Sequence, residues 1–529
     1  MNATKLARAT VCQLIELGVQ DFVLSPGSRN APLSIALFAA EQAGLITLHQ
    51  KIDERGAAFF ALGISKAKDQ YVAVVCTSGT AAANYHPAVL EALHSGNKLL
   101  IITADRPASL RRTGANQTTN QTNIYGDVKT HDMHEQIDLA PLLRPVSAIV
   151  SGPIHLNIQF EEPLVTQDKE DWLAGIRPIS EEGRATQRSE IVTKGTGLII
   201  IGHDRGTFSV EEVREWLAST NMPYISEDPI SFPGALPHAA LFLSDQLIRQ
   251  ALAPEFIIIL GRTTLSRSIN SFISECPTTF VIDPRTQTVD TARSATKLLH
   301  SLPSLNITHH DDTYNEKWRL AFKLAHEVIE SSHDWSEERA IRTITETLPQ
   351  DCALFVGSSR PIRDIEAFGS PRKGVHVFAN RGLAGIDGNI STAFGISEGF
   401  LQSYSILGDI TFLHDIGALT SATENNHTIF VINNNGGGIF NTLPQAGVEG
   451  FEKIFGTPHN RDLSKLISGF GIPTITVKNE SDLARSIIHP RTGVGIVVVE
   501  VPDRELMAEH LRQMVQRVSN AVRIGANFA

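Results

Sequence analysis

Short, unbroken apolar runs recur along this chain, each closed by a glycine-rich or polar turn and followed by a stretch of helical periodicity. The first runs lie at residues 22–24, 72–75, 99–102 and 154–158. A strand with one wet face alternates apolar and polar residues. A continuously apolar strand is covered on both faces and belongs to a parallel sheet flanked by helices. These runs define a first α/β unit ending near Pro163. The polar, charge-rich stretch from Gln167 to about Gly195 reads as a linker. A second α/β unit begins at 198–202 and continues through 256–260 and 280–283. A polar helical passage from about His309 to Glu338 leads to a third, with strands expected at 353–356, 375–378, 405–407, 428–432 and 495–501. The fold class is α/β in three domains, placed at residues 1–175, 190–325 and 338–529. A chain of 529 residues is too long for one core. Ligands should sit beyond the carboxyl ends of the strands.

Residues 1–19 read as an amphipathic helix with Leu6, Ala7, Val11, Leu14 and Ile15 on one face. Gln13 and Glu16 interrupt any signal-peptide core, and the run at 256–260 is far too short to cross a bilayer. A cytoplasmic location with no membrane partner is therefore expected. The net charge of -11 argues against a nucleic-acid-gripping surface and for small-molecule chemistry. Cys12, Cys76, Cys276 and Cys352 form no C-x-x-C pair, so neither a zinc site nor a disulfide framework is expected, only buried thiols.

The most informative segment is LGDITFLHDIGALTSATENNHTIFVINNNGGGIF, residues 407–440. A strand ends at Gly408-Asp409, a helix follows, and a second strand ends at Asn433-Asn434-Asn435-Gly436. Gly-Asp and Asn/Gly-rich pieces are common turn formers taken singly. The 25 positions from Asp409 to Asn434 allow one strand–helix–strand excursion, which returns the asparagines to the aspartate's sheet edge. The Asp409 carboxylate, the Asn434 amide oxygen and the Gly436 carbonyl make an oxygen-rich site suited to Mg²⁺ with phosphate oxygens completing its shell. Neighbouring glycines let backbone N–H groups approach a diphosphate.

This segment resembles the diphosphate-binding motif of thiamine-diphosphate-dependent enzymes, with Ile410 in place of the usual last glycine of Gly-Asp-Gly. His49–Ala58 places Glu54 after a short strand and before an apolar helix, upstream of the strand at 72–75 and the turn Thr77-Ser78-Gly79-Thr80. That succession matches the pyrimidine-binding domain of the same enzymes. The resemblance makes Glu54 the carboxyl beside the aminopyrimidine ring and Ile386 the apolar wedge that bends the cofactor. Five further segments are Ser25–Leu33, Thr103–Pro107 leading into Gly114–Gln117, Ser358–Arg363, Ala379–Gly382 and Asn433–Phe440. Together they resemble one branch, the 2-succinyl-5-enolpyruvyl-6-hydroxy-3-cyclohexene-1-carboxylate (SEPHCHC) synthases of menaquinone biosynthesis.

The resemblance implies a transferase that decarboxylates 2-oxoglutarate and adds the succinyl carbanion equivalent to isochorismate. It implies thiamine diphosphate and Mg²⁺ (replaceable by Mn²⁺) as cofactors, and a homodimer or homotetramer with shared sites. Catalytic roles fall to Glu54, Gln117, Arg363 and Arg381. Cofactor contacts fall to Glu54, Ile386, Gly408, Asp409, Ile410, Asn434, Gly436, Gly437 and Ile439. The metal falls to Asp409, Asn434 and Gly436. Ser28, Arg29, Arg106, Gln117, Ser359, Arg363, Arg381, Ile439 and Phe440 line the substrate pocket. Arginines suit it because both substrates are dicarboxylates and guanidinium binds carboxylate in bidentate fashion. The middle domain departs from the family's Lys-Arg pair and reads Thr264-Leu265-Ser266-Arg267-Ser268, where Arg267 is placed to keep one charge. The alternative is another thiamine-dependent 2-oxo acid decarboxylase or carboligase. The His-His pair of pyruvate decarboxylases is not evident, since His309-His310 beside Asp311-Asp312 reads as a solvated segment.

Overall fold

The computed structural model describes residues 2–143, 152–166, 170–178, 189–285, 289–308, 311–488 and 492–528. His309-His310 and parts of the expected linker, 167–169 and 179–188, lie outside the described residues.

Among the described residues the strands form four sheets, each with parallel pairing. The first sheet runs, edge to edge, Thr47–Gln50, Asp21–Leu24, Val72–Cys76, Leu99–Asp105, Ile154–Gln159 and Thr130–Met133. Another six-stranded sheet runs Val375–Phe378, Cys352–Val356, Ser403–Gly408, His427–Asn433, Val494–Glu500 and Thr474–Val477. Counted along the chain, both have the order 2-1-3-4-6-5. The first and third α/β units thus share one topology. In each, the first and third strands lie side by side while the chain winds away from them in opposite directions, and a crevice opens at their carboxyl ends. Val72–Cys76, Leu99–Asp105 and Cys352–Val356 are buried along their whole length, as sheets covered on both faces require.

The middle sheet has five strands, with Phe256–Leu260 at its centre between Gly197–Ile201 and Thr279–Ile282. A two-stranded sheet joins Glu190–Lys194 to Ser304–Thr308. Glu190–Lys194 falls inside the expected linker and corrects that reading at its end. Of its five residues only Ile191 is buried, so its composition resembles a solvated connector. Cys76 and Cys352 are buried as expected, whereas Cys12 and Cys276 are only partly so, and all four are free thiols.

The chain divides into two compact units. One comprises Met1–Ala185 with Gly382–Leu401 and His414–Thr423; the other holds the remainder. Within the first, the helix Glu54–Lys68 crosses the helix Asn389–Ser397 at two glycines. A Cβ on Gly63 would lie 2.1 Å from the Thr392 carbonyl oxygen, and one on Gly395 would lie 2.0 Å from that of Phe60. Only hydrogen side chains permit backbones this close.

Candidate active site

In the first unit the strand Thr47–Gln50 turns through Asp53, which caps the next helix by accepting from Arg55 N at 3.1 Å. Glu54 is therefore the first helical residue, half-buried at the end of the macrodipole that favours an acid. The turn is anchored on both sides. The Arg55 guanidinium lies 3.4 Å from the Asp415 carboxylate, itself buried and accepting from Ser391 N and Oγ at 2.8 and 3.0 Å. Lys51 Nζ donates to the Ser421 carbonyl at 2.6 Å and lies 4.2 Å over the Phe60 ring. Desolvation lowers this lysine below its usual range.

The turn after the third strand is built around Gly79, whose φ of 87° an L side chain rarely adopts. Gln117, also at positive φ, donates its amide to the Ser78 carbonyl at 3.0 Å. Arg106 Nη1 donates to Ser78 Oγ at 2.6 Å and to the Gln117 carbonyl at 2.7 Å. Arg29 donates to the Phe160 carbonyl at 3.1 Å and pairs with Glu162 at 3.2 Å. Desolvation first, and the Arg29 charge second, lower the Arg106 guanidinium. Arg29, Arg106 and Gln117 are thus gathered at the strand ends, with Ser28 exposed beside them.

Ile386, half-buried in this unit, follows a loop held by Glu91. One Glu91 oxygen accepts from Gly382 N at 2.7 Å, and the other accepts from Leu383 N at 2.7 Å and Ala384 N at 3.4 Å. A buried carboxylate gathering three backbone donors fixes the loop's path.

In the second unit Asp409 is buried where the strand Ser403–Gly408 becomes a helix. Its Oδ1 accepts from Ile410 N at 2.6 Å, and its Oδ2 accepts from Gly436 N at 2.9 Å. The excursion expected from the sequence does bring these residues together. His459 Nε2 lies 3.3 Å from both Asp409 Oδ2 and Asn433 Oδ1. The Asn434 amide nitrogen donates to Glu337, while its Oδ1 is buried and accepts no hydrogen bond. The Gly436 carbonyl accepts from Gly438 N at 2.9 Å and keeps a second lone pair. A Cβ on Gly436 would lie 2.3 Å from the Gly456 carbonyl, whereas the space beside Gly408 is open. Gly437 N donates to the Gly456 carbonyl at 2.8 Å. Ile439 and Phe440 follow in a short 3₁₀ turn, half-buried, with Phe440 5.4 Å from the Phe455 ring.

A buried carboxylate, an orphaned amide oxygen and a free carbonyl lone pair fit a hard divalent cation. The open space beside Gly408 leaves room for phosphate oxygens, whereas the Gly436, Gly437 and Gly438 N–H groups are donated to oxygens of the protein itself, contrary to the expectation that they face a diphosphate. Among the described residues no three His, Cys, Asp or Glu side chains group as a metal site, so a metal here would need amide and carbonyl oxygens beside the Asp409 carboxylate.

The same unit carries a second basic cluster. Ser359 opens the helix Arg360–Phe368 at a φ of 78°, strain typical of functional positions. The Arg363 guanidinium donates to the Ser359 carbonyl. Desolvation, then Arg381 and Arg360, lower it. Arg381 is buried and already paired with Glu227, though its Nε has no partner. Arg267 stands exposed at the first turn of the helix Arg267–Ser274, which Ser266 caps. Sequence reasoning missed Glu91, His459 and Glu337. Each is an acid or imidazole outside the motifs, and nothing local separates it from a surface residue.

Three family descriptions match this chain in order. "Thiamine pyrophosphate enzyme, N-terminal TPP binding domain" matches residues 4–124. "Middle domain of thiamine pyrophosphate" matches 165–356, and "Thiamine pyrophosphate enzyme, C-terminal TPP binding domain" matches 365–501. A protein of Thermobifida fusca named 2-succinyl-5-enolpyruvyl-6-hydroxy-3-cyclohexene-1-carboxylate synthase is 34% identical, over 98% of this chain and all of its own length. Proteins of the same name from a Nocardioides species and from Bacillus cytotoxicus are 35% and 34% identical. The alignments cover 97% and 93% of this chain, and 98% and 92% of those proteins.

Proposed function

Because the chain belongs to the SEPHCHC synthase family of thiamine pyrophosphate enzymes, we propose that it decarboxylates 2-oxoglutarate and transfers the succinyl carbanion equivalent to isochorismate in menaquinone biosynthesis. The observation that carries this reading is the buried Asp409, hydrogen-bonded to Gly436 N, at the end of the strand next to the one that leads into Asn434, whose buried oxygen has no partner. Asp409, Asn434 and the Gly436 carbonyl would hold Mg²⁺. Gly408, Ile410, Gly437 and Ile439 would meet thiamine diphosphate, with Glu54 at its aminopyrimidine and Ile386 at its bend. Bound thiamine diphosphate supplies the electron sink that decarboxylation requires.

The chain's own residues do the rest. With the cofactor bound, Glu54 would hold a proton at a nitrogen of the aminopyrimidine ring. Arg29, Arg106, Arg363 and Arg381 hold the dicarboxylates, Arg267 contributes from the middle domain, and Gln117, Ser28 and Ser359 orient them. Ile439 and Phe440 exclude water from the reacting carbons. Arg381 must divide its charge between Glu227 and substrate, so Arg363 is the stronger carboxylate anchor of the two. The domains lie at 1–175, 190–325 and 338–529, in a cytoplasmic homodimer or homotetramer whose sites are shared between subunits. Among the described residues no helix is long and apolar enough to cross a membrane.

The test mixes purified protein with thiamine diphosphate, Mg²⁺, 2-oxoglutarate and isochorismate. Isochorismate loss is followed by absorbance and the product by mass spectrometry. A succinyl-bearing product requiring all four additions supports the reading. Consumption of pyruvate in place of 2-oxoglutarate would keep the thiamine chemistry and discard these substrates. Glu54→Gln should nearly abolish turnover while cofactor binding stays measurable, and full activity would remove Glu54 from its role.

A further inference from the structure

We propose that Glu337 is a positioning residue which sets the Asn434 amide so that its oxygen, not its nitrogen, faces the metal. The inference rests on the reading of Asp409, Asn434 and Gly436 as the metal site. Glu337 lies outside the 407–440 segment, in the first turn of the helix Glu337–Thr347, which Ser336 caps. It is 4% exposed and held from the other side by Arg360, whose Nε is 3.5 Å from Glu337 Oε2. Arg360 in turn pairs with Asp364 four residues along its own helix.

A carboxylate can only accept hydrogen bonds, so the atom that Asn434 turns toward Glu337 must be its NH₂. The opposite end, Oδ1, is then aimed away from Glu337, and it is the end left buried without a partner. An asparagine amide is nearly symmetric in shape. Without an acceptor behind it, nothing steric stops it from presenting two N–H donors to a cation. Glu337 breaks that symmetry by charge, and Arg360 keeps Glu337 in place.

Glu337→Gln tests the idea with little change of shape. Arg360 will draw the single oxygen of the new amide, leaving its NH₂ toward Asn434, which then flips. Mn²⁺ titrations followed by electron paramagnetic resonance, with thiamine diphosphate present, read metal affinity without turnover. The variant should bind Mn²⁺ about 10-fold or more weakly, the usual scale for groups that orient a metal ligand. Asn434→Asp presents oxygen either way, but sets two carboxylates against each other while Glu337 remains. Pairing it with Glu337→Gln should therefore restore affinity relative to either single variant, a rescue that a purely structural role would not produce. Glu337→Asp, with both acceptors one methylene short, should fall between wild type and Glu337→Gln, and supplies the test if the Gln variants do not fold. Affinity equal to wild type in Glu337→Gln, or no rescue in the double variant, overturns the inference. Absence of thiamine-dependent Mn²⁺ binding in the wild type, or undiminished binding in Asp409→Ala, overturns the underlying site instead.

Discussion

Replacing Gly63 by alanine should destabilise the protein, although the same change in an exposed helix would stabilise it. Alanine is favoured over glycine in a helix interior by about 1 kcal/mol. At Gly63 the new methyl would lie 2.1 Å from the Thr392 carbonyl oxygen and 2.9 Å from Gly395 Cα and Ile396 N. A carbon meets a carbonyl oxygen comfortably at about 3.3 Å, so the shortfall is roughly 1.2 Å. The obstructing atoms are backbone and cannot swing aside, so the two helices must separate. Overpacking of this kind costs about 1–3 kcal/mol, and a backbone obstacle puts Gly63→Ala at or above the top of that range. After the propensity gain, the net loss is about 2 kcal/mol or more. The assay is the urea midpoint by far-UV ellipticity, with Gly417→Ala as control, because a methyl there has no atom within 4 Å. Turnover gives a second readout, since the displaced helix begins at Glu54. A Gly63→Ala protein as stable as wild type, or more so, would refute the steric argument.

Other outcomes are open to measurement. His155, His238 and His427 are each held down to about 3 by burial. The unfolded chain therefore binds protons first, and their stability is complete above the unfolded value near 6.5 and drains as pH falls toward 3. Each contributes about 1.4 kcal/mol per pH unit within that window, so His427→Gln should flatten the stability–pH slope between about pH 6 and 4.5 by that amount; an unchanged slope contradicts this. Glu91→Gln turns an NH₂ group toward backbone donors and should cost about 2 kcal/mol, with faster hydrogen exchange at Leu383. Equal protection there would show that the loop does not depend on the carboxylate. Chelator treatment should release thiamine diphosphate, and Mg²⁺ or Mn²⁺ should restore its binding by calorimetry. Retention without metal would separate the cofactor from Asp409.

The parts of the fold legible in the sequence were those where one physical rule acts alone. Runs such as 256–260 and 353–356 match their strands to within a residue, because a strand buried on both faces needs unbroken apolar residues. The approach of Asp409 to Gly436 was legible because one strand–helix–strand excursion has few outcomes. Glu190–Lys194 was not, since a two-stranded edge buries one residue in five. The pairing of Arg381 with Glu227 was also hidden, because the two are 154 positions apart and joined only by the tertiary fold. Glu91 sits in the helix His86–Ser95, where an isolated acid looks like any solvated one until the loop it binds is known.

The glycine crossing also has a consequence for synthesis. The helix Glu54–Lys68 leaves the ribosome with its Gly63 face bare, and its cover, Asn389–Ser397, is made more than 300 residues later. At roughly 5–20 residues per second, that interval is about 15–70 s. The nascent first unit must therefore keep an apolar helix face shielded or unformed for tens of seconds, through translation of the whole middle sheet. A fragment ending at Ala185 never receives that cover at all.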